Sequence, residues 1–224
     1  MFERDIISQL AAWKTDTNRK PLVVHGARQV GKTWTLKYFG REYFDDVAYF
    51  SLDKDESGLC DVFRTTKDPQ RIIQHLSFLH GKKIEPQTTL LILDEIQECN
   101  EALNALKYFC EEAPEYAVAC AGSLLGIYLN HVGKSFPVGK VNHLYMYPLT
   151  FTEFLRTKDP VMHEYMHSID KVEPLPQIFF DKLRESFTAY SICGGMPEPA
   201  TLMVDFNDME RVDSALQDLS LIHI

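Results

Sequence analysis

Eight consecutive residues, Gly26-Ala27-Arg28-Gln29-Val30-Gly31-Lys32-Thr33, carry the strongest structural signal in this chain of 224 residues. They match G-x-x-x-x-G-K-T, the pattern of a phosphate-binding loop or Walker A motif. The preceding Pro21-Leu22-Val23-Val24-His25 is short and apolar, which favours a buried strand. The following Trp34-Thr35-Leu36-Lys37-Tyr38-Phe39 has apolar residues at helical spacing, and Gly40 is the expected helix C-cap. A strand, a glycine loop and a helix in this order are the context that the motif requires.

The residue types of this loop suit a phosphate group. Backbone N–H groups of the loop and the N-terminus of the following helix favour negative charge, and glycine at 26 and 31 permits close approach of phosphate. Lys32 offers a positive charge to the β- and γ-phosphates, and Thr33 offers a hydroxyl to Mg²⁺. We predict that the nucleotide contacts Gly26, Ala27, Arg28, Gln29, Val30, Gly31, Lys32, Thr33 and Trp34.

A second motif, the Walker B motif at residues 90–95, lies within Thr89-Leu90-Leu91-Ile92-Leu93-Asp94-Glu95. An apolar run of this kind is typical of a strand buried on both faces of a parallel sheet, and ligands bind at the carboxyl end of such strands. We predict that Asp94 holds Mg²⁺, largely through water, and that Glu95 polarises the attacking water. The simpler alternative is a core strand that ends in polar residues.

Strand and helix patterns alternate along the first two thirds of the chain. This alternation predicts an α/β fold, a three-layer αβα core with a parallel sheet. We assign residues 1–155 to this core and residues 156–218 to the start of a mainly helical C-terminal domain. The predicted elements are helices at 2–13, 34–39, 69–81 and 101–112, and strands at 21–25, 47–53, 89–94, 116–121 and 141–147.

Composition narrows the classes of function. A net charge of −9 argues against a broad nucleic-acid-binding surface. No apolar run is long enough to cross a bilayer, and the charged N-terminus lacks a signal-peptide core, so we expect a cytoplasmic protein. The five cysteines form no C-x-x-C pair, which suggests reduced thiols. The histidines outside residues 163–167 are isolated in the sequence, and surface or core roles suit them.

Several further stretches follow the phosphate-binding loop in a recognisable order. They are Leu93-Asp94-Glu95-Ile96-Gln97, Ala121-Gly122-Ser123, Ser135-Phe136-Pro137-Val138-Gly139-Lys140, Tyr147-Pro148-Leu149-Thr150-Phe151-Thr152-Glu153-Phe154 and Gly194-Gly195-Met196-Pro197-Glu198. With residues 21–33, this order resembles the prokaryotic P-loop ATPases of the AAA superfamily that carry a C-terminal domain of unknown function. The resemblance covers nearly the whole chain.

This resemblance implies ATP as the nucleotide, and the sequence has no guanine-reading N-K-x-D motif. It also implies that Ser123 is a sensor of the γ-phosphate, whereas the catalytic roles of Glu95 and Lys32 follow from the two motifs. Lys140 stands where the group usually has arginine, and lysine lacks the planar guanidinium fork. A neighbouring subunit could supply an arginine finger, for which the candidates are Arg64, Arg71 and Arg156. Self-association is therefore possible, and the macromolecular partner is unknown.

A second short motif lies in the C-terminal part of the chain. His163-Glu164-Tyr165-Met166-His167 matches H-E-x-x-H, in which two histidines bind Zn²⁺ and the glutamate acts as a base. The segment is short, prolines confine it, and the sequence marks no third ligand.

The last six residues of the chain resemble the translation of a sequencing adapter: Leu219-Ser220-Leu221-Ile222-His223-Ile224. We therefore expect the natural C-terminal domain to continue past about Asp218.

The sequence therefore supports three functions of different classes. The first is an Mg²⁺-dependent ATPase that couples hydrolysis to an unknown partner. The second is a nucleotide-dependent switch or scaffold with negligible turnover. The third, a minor alternative, is a zinc metalloprotease that uses His163, Glu164 and His167. Glu95 favours the first, because a switch does not need a water-polarising carboxylate.

Overall fold

The computed structural model of this chain describes residues 2–53, 58–122, 139–171 and 173–222, with only the backbone for residues 221 and 222. The described strands form one parallel sheet in the order β2-β3-β4-β1-β5. The strands are β1 (Leu22–His25), β2 (Asp46–Ser51), β3 (Thr89–Asp94), β4 (Ala117–Gly122) and β5 (Asn142–Tyr145). The predicted parallel sheet is confirmed.

Residues Ile6–Met146 form one compact unit around this sheet. Its helices are α1 (Ile6–Thr15), α2 (Lys32–Tyr43), α3 (Leu59–Thr65), α4 (Pro69–His80) and α5 (Asn100–Glu112), with a short 3-10 helix at Ile96–Glu98. Alternate residues of β3 point to opposite faces: Leu90 and Ile92 pack with α1 and α2, and Leu91 and Leu93 pack with α3, α4 and α5. Both faces are covered, so the predicted three-layer αβα architecture is confirmed.

The α4 helix begins and ends as its sequence predicts. The Asp68 side chain accepts a hydrogen bond from the Gln70 N–H at 2.9 Å, and Pro69 occupies the first turn. Gly81 follows the helix with φ of 75°, a left-handed conformation that glycine adopts without steric cost. Local capping chemistry is sufficient to define this element.

Two local predictions are wrong. The α2 helix does not stop at Gly40 but continues to Tyr43, and a Cβ at position 40 would lie 2.6 Å from a Val47 methyl group. Gly40 therefore permits close packing of α2 on β2 and is not a C-cap. The first helix begins at Ile6 rather than residue 2, and Phe2 packs with Leu149 and Phe154.

A second compact unit comprises Met1–Asp5 and Tyr147–Ile224. It is mainly helical, as predicted: α6 (Phe151–Lys158), α7 (Pro160–Ser168), α8 (Gln177–Cys193), α9 (Pro197–Phe206) and α10 (Met209–Ile222). Arg4 donates to the Glu153 carboxylate at 3.1 Å, and both side chains are buried. Glu153 also completes a capping box with Thr150 at the start of α6, so one carboxylate connects the N-terminal segment to this helix. The boundary after residue 155 stays a prediction.

The cysteines give a further correction. Cys60 and Cys99 form a disulfide between the start of α3 and the residue before α5, with Cα atoms 5.9 Å apart. The prediction of reduced thiols is wrong for this pair, because residues 39 positions apart meet on folding. Cys110, Cys120 and Cys193 are free thiols.

The α10 helix includes Leu219, which is buried, whereas His223 and Ile224 lie outside the described residues. The adapter origin of residues 219–224 stays a prediction. Within the described ranges, every helix is too short or too polar to cross a bilayer.

Candidate phosphate-binding site

The phosphate-binding loop connects β1 to α2, as its sequence context predicts. Three of its residues have positive φ: Gly26 (156°), Gln29 (59°) and Gly31 (95°), and Gly31 is the N-cap of α2. Gly26 has a structural constraint that the motif does not reveal, since a Cβ there would lie 2.3 Å from the carbonyl oxygen of Met146. The Met146 N–H in turn donates to the carbonyl of His25 at 2.8 Å, so the end of β5 holds the base of the loop.

One apolar side chain anchors the loop, and the three residues before it are exposed to solvent. Val30 is fully buried in the cluster beneath α1 and α2, whereas Ala27, Arg28 and Gln29 are exposed. Trp34 lies in the first turn of α2, is partly exposed and stacks on Tyr38 with ring centroids 5.2 Å apart. Because the Trp34 indole directly follows the loop, its fluorescence is expected to change when a ligand binds there.

Lys32 is buried at the start of α2 and closes the loop on itself. Its Nζ donates to the carbonyl oxygens of Gly26 at 2.8 Å and Ala27 at 2.7 Å. Burial lowers the pKa of Lys32, with a smaller contribution from Arg28, and the charges of Glu95 and Asp94 oppose that shift. The ammonium group is thus held inside the curve of the loop, where its charge is only partly solvated.

A side-chain hydrogen bond joins the two sequence motifs. The Thr33 hydroxyl donates to Oδ2 of Asp94 at 2.7 Å, although the residues are 61 positions apart. Asp94 is buried at the end of β3, and its Oδ1 accepts from the Glu95 N–H at 3.1 Å. A hydroxyl and a carboxylate side by side are oxygen ligands of the kind that Mg²⁺ prefers.

Glu95 lies just beyond β3 in a left-handed conformation, with φ of 48°. Its Oε2 accepts from the Gln97 side-chain amide at 2.5 Å. Gln97 is buried, and its Oε1 has no hydrogen-bond partner in the part of the chain that the structure describes. Gln97 therefore restrains the Glu95 carboxylate, a contact that sequence analysis did not anticipate.

Tyr49 is a second residue that sequence analysis missed. Its hydroxyl donates to Oδ2 of Asp94 at 3.0 Å, and the Nζ of Lys37 lies 3.2 Å from its ring centroid. Burial, together with the charge of Asp94 and the hydrogen bond to it, raises the pKa of Tyr49 to about 12. The apolar pattern of residues 47–53 predicts the strand that contains Tyr49. It does not predict that this strand pairs with β3, which carries Asp94.

A pair of histidines lies at the strand ends beside the loop. Nε2 of His25 and Nδ1 of His143 are 2.8 Å apart, and the His25 ring also stacks on Tyr145. Burial lowers the pKa of both histidines, and for His25 the neighbouring His143 and Lys32 lower it further. These histidines are isolated in the sequence, and the parallel pairing of β1 and β5 brings them together.

Several predicted residues are not part of the described site. Ser123 and residues 135–138 lie outside the described ranges. Lys140 forms an ion pair with Glu111 at 2.9 Å. The three arginines considered as fingers form ion pairs within their own unit: Arg64 with Asp61, Arg71 with Asp68 and Arg156 with Asp5.

The H-E-x-x-H segment forms the helix α7. His163 and His167 have ring centroids 4.2 Å apart, and Nδ1 of His167 donates to the His163 carbonyl at 2.9 Å. Burial lowers the pKa of His163, and His167 and Arg156 lower it further. Among the described residues, no third histidine, cysteine or carboxylate joins this pair to form a metal-binding cluster.

Comparison with known proteins agrees with the motif positions. A family model described as an AAA domain matches residues 18–155, which include both the phosphate-binding loop and the carboxylates after β3. Among solved structures, PCH-2 of C. elegans is similar with a TM-score of 0.49 and 12% sequence identity, over 95% of this chain and 68% of that one. No curated protein matches the chain.

Proposed function

Since this chain belongs to the AAA domain family, which implies ATP binding, we propose that it is an Mg²⁺-dependent ATPase. The observation that carries the proposal is the 2.7 Å hydrogen bond from Thr33 to Asp94. That contact joins the Walker A motif at 26–33 to the Walker B motif at 90–95, so the groups proposed to bind phosphate lie beside groups that suit a cation.

In this proposal the loop residues 26–34 bind the phosphates of ATP through backbone N–H groups and the N-terminus of α2. Lys32 adds a charge-assisted contact to the β- and γ-phosphates. Its two carbonyl partners hold the ammonium group in place before the nucleotide arrives. Positioning of this kind is the main contribution that a protein makes to phosphoryl transfer.

Thr33 and Asp94 are the residues proposed to hold Mg²⁺. Their oxygen ligands and the burial of Asp94 fit that cation. A bound Mg²⁺ ion offsets negative charge on the phosphate oxygens. Asp94 contributes by orienting the Thr33 hydroxyl and by placing a carboxylate charge beside it.

Glu95 is proposed to orient and polarise the water that attacks the γ-phosphorus. Its left-handed backbone turns it away from the direction of β3, so Asp94 and Glu95 serve different groups. The bond to Gln97 restrains the carboxylate in the resting protein. Ser123 as a γ-phosphate sensor belongs to the proposal on the strength of the family resemblance.

The two alternatives are separated by what each requires. A nucleotide-dependent switch shares Lys32, Thr33 and Asp94 but has no use for Glu95. A zinc metalloprotease requires a third protein ligand beside His163 and His167. ATP is the proposed small-molecule partner, the macromolecular partner is unknown, and we propose a cytoplasmic location.

The ATPase and the switch differ in the effect of Glu95→Gln, which keeps the shape of the side chain and removes its charge. We expect this variant to bind Mg-ATP at least as tightly as wild type, because a negative group near the γ-phosphate is lost. We expect hydrolysis to fall by roughly 100-fold, about 2.7 kcal/mol of activation free energy. Steady-state phosphate release and fluorescent-nucleotide binding measure the two effects.

Glu98→Gln is the matched control, since Glu98 is an exposed carboxylate in the same turn. It should hydrolyse ATP at the wild-type rate. Equal hydrolysis by wild type and Glu95→Gln at saturating ATP would reject the catalytic role of Glu95 and favour the switch.

A further inference from the structure

Asp94 receives more hydrogen bonds than the two sequence motifs predict. Its Oδ2 accepts from two hydroxyls, Thr33 at 2.7 Å and Tyr49 at 3.0 Å. Its Oδ1 accepts from the Glu95 N–H at 3.1 Å. A carboxylate offers about four lone-pair positions, so the three donors found among the described residues leave one position, on Oδ1, without a described partner.

The position of Tyr49 follows from the sheet. In the parallel pairing of β2 with β3, Ser51 lies opposite Asp94 and Tyr49 lies opposite Ile92. Tyr49 is thus one pleat behind Asp94 on the neighbouring strand, and the length of its side chain carries the hydroxyl forward to the carboxylate. Lys37, one helical turn after Thr33, packs its ammonium group against the Tyr49 ring, and a cation–π contact of this kind restrains the ring.

We infer that Tyr49 is a positioning residue for the cation-holding carboxylate, an inference that rests on the proposed function. The two hydroxyls occupy Oδ2 and fix the carboxylate plane. This leaves the open position of Oδ1 as the one available to a water ligand of Mg²⁺. Tyr49 does not touch the nucleotide in this account and acts only through Asp94.

A tyrosine suits this task better than a basic residue. A lysine or arginine would fix the carboxylate but would also offset its charge, which weakens its attraction for a cation. A neutral phenol orients the carboxylate and leaves its charge unchanged. A phenol hydroxyl is a donor throughout the neutral range, so the hydrogen bond to Asp94 does not depend on a change of protonation.

The test is the Mg²⁺ dependence of ATP binding in Tyr49→Phe, measured with a fluorescent ATP analogue. Loss of one hydrogen bond to a charged group should raise the half-saturating Mg²⁺ concentration about 10-fold. Nucleotide binding in excess EDTA should equal that of wild type, because the phosphate-binding loop is intact. A purely structural defect would weaken binding under both conditions.

Tyr116→Phe is the matched control, because Tyr116 is a partly buried tyrosine whose hydroxyl contacts Gln70 rather than Asp94. It should have the Mg²⁺ dependence of wild type. In an Asp94→Asn background, Tyr49→Phe should cause no further change, since both substitutions act on one interaction.

Three outcomes would overturn the inference. An unchanged Mg²⁺ requirement in folded Tyr49→Phe would show that the hydroxyl does not position Asp94. Additive effects in the Asp94→Asn background would show that Tyr49 acts elsewhere. Absence of ATP binding by wild type at every Mg²⁺ concentration would overturn the proposed function, and this inference with it.

Discussion

The loop at residues 26–33 and the segment at residues 163–167 both match short functional motifs, but the fold gives them different contacts. The loop lies between a buried strand and a helix, and Thr33 contacts Asp94 of a second motif. The histidines on α7 contact each other, and within the described residues no third metal-binding side chain joins them. A short motif therefore forms a functional site only where the fold places complementary groups beside it.

The electrostatic environments of the two motifs also differ. Lys32 lies near the carboxylates of Asp94 and Glu95, which favour its charged form. Burial lowers the pKa of His163 most, His167 and Arg156 lower it further, and Asp5 and Glu164 oppose the shift. The strongest charge effect on Lys32 therefore comes from a carboxylate, whereas the strongest charge effect on His163 comes from a second histidine.

The largest effect that we predict is on ATP affinity in Lys32→Ala. The substitution removes a partly buried, charge-assisted contact worth about 2–4 kcal/mol, so ATP should bind roughly 30- to 1,000-fold more weakly. Calorimetric titration measures this change. Lys107→Ala, at an exposed lysine on α5, should bind ATP as wild type does. Unchanged ATP affinity in folded Lys32→Ala would show that the loop does not bind the phosphates of ATP, so neither motif would form the site it predicts.

The smallest effect that we predict concerns zinc at the second motif. Protein purified without chelator should contain no stoichiometric zinc, because two histidines on one helix lack a third ligand among the described residues. Elemental analysis of wild type and of the His163→Ala, His167→Ala double variant is the measurement. Near-stoichiometric zinc that disappears in the double variant would show that His163 and His167 bind zinc, and would favour the metalloprotease function.

Features encoded by neighbouring residues could be predicted from the sequence. The parallel sheet follows from short apolar runs that alternate with helical patterns, and the continuous run Leu90–Leu93 marks a strand buried on both faces. The limits of α4 follow from Asp68, Pro69 and Gly81, because capping acts within a few residues. The position of the phosphate-binding loop follows in the same way.

Features that depend on strand order could not be predicted. Tyr49 reaches Asp94 across 45 residues, and Cys60 reaches Cys99 across 39. Each contact exists because the fold places distant segments side by side, and one sequence without its topology does not reveal that placement. For the same reason Gly40 resembled a helix end, although its lack of a side chain serves packing against Val47.

Hydrogen exchange of the whole chain, with and without saturating Mg-ATP and followed by peptide-level mass spectrometry, directly tests whether ATP binds at the loop. If ATP binds at the loop, amides of residues 26–34 should exchange more slowly in its presence, because their N–H groups donate to phosphate. Residues 160–168 of α7 should exchange at the same rate in both samples. Unchanged exchange at residues 26–34 under saturating Mg-ATP would contradict the account.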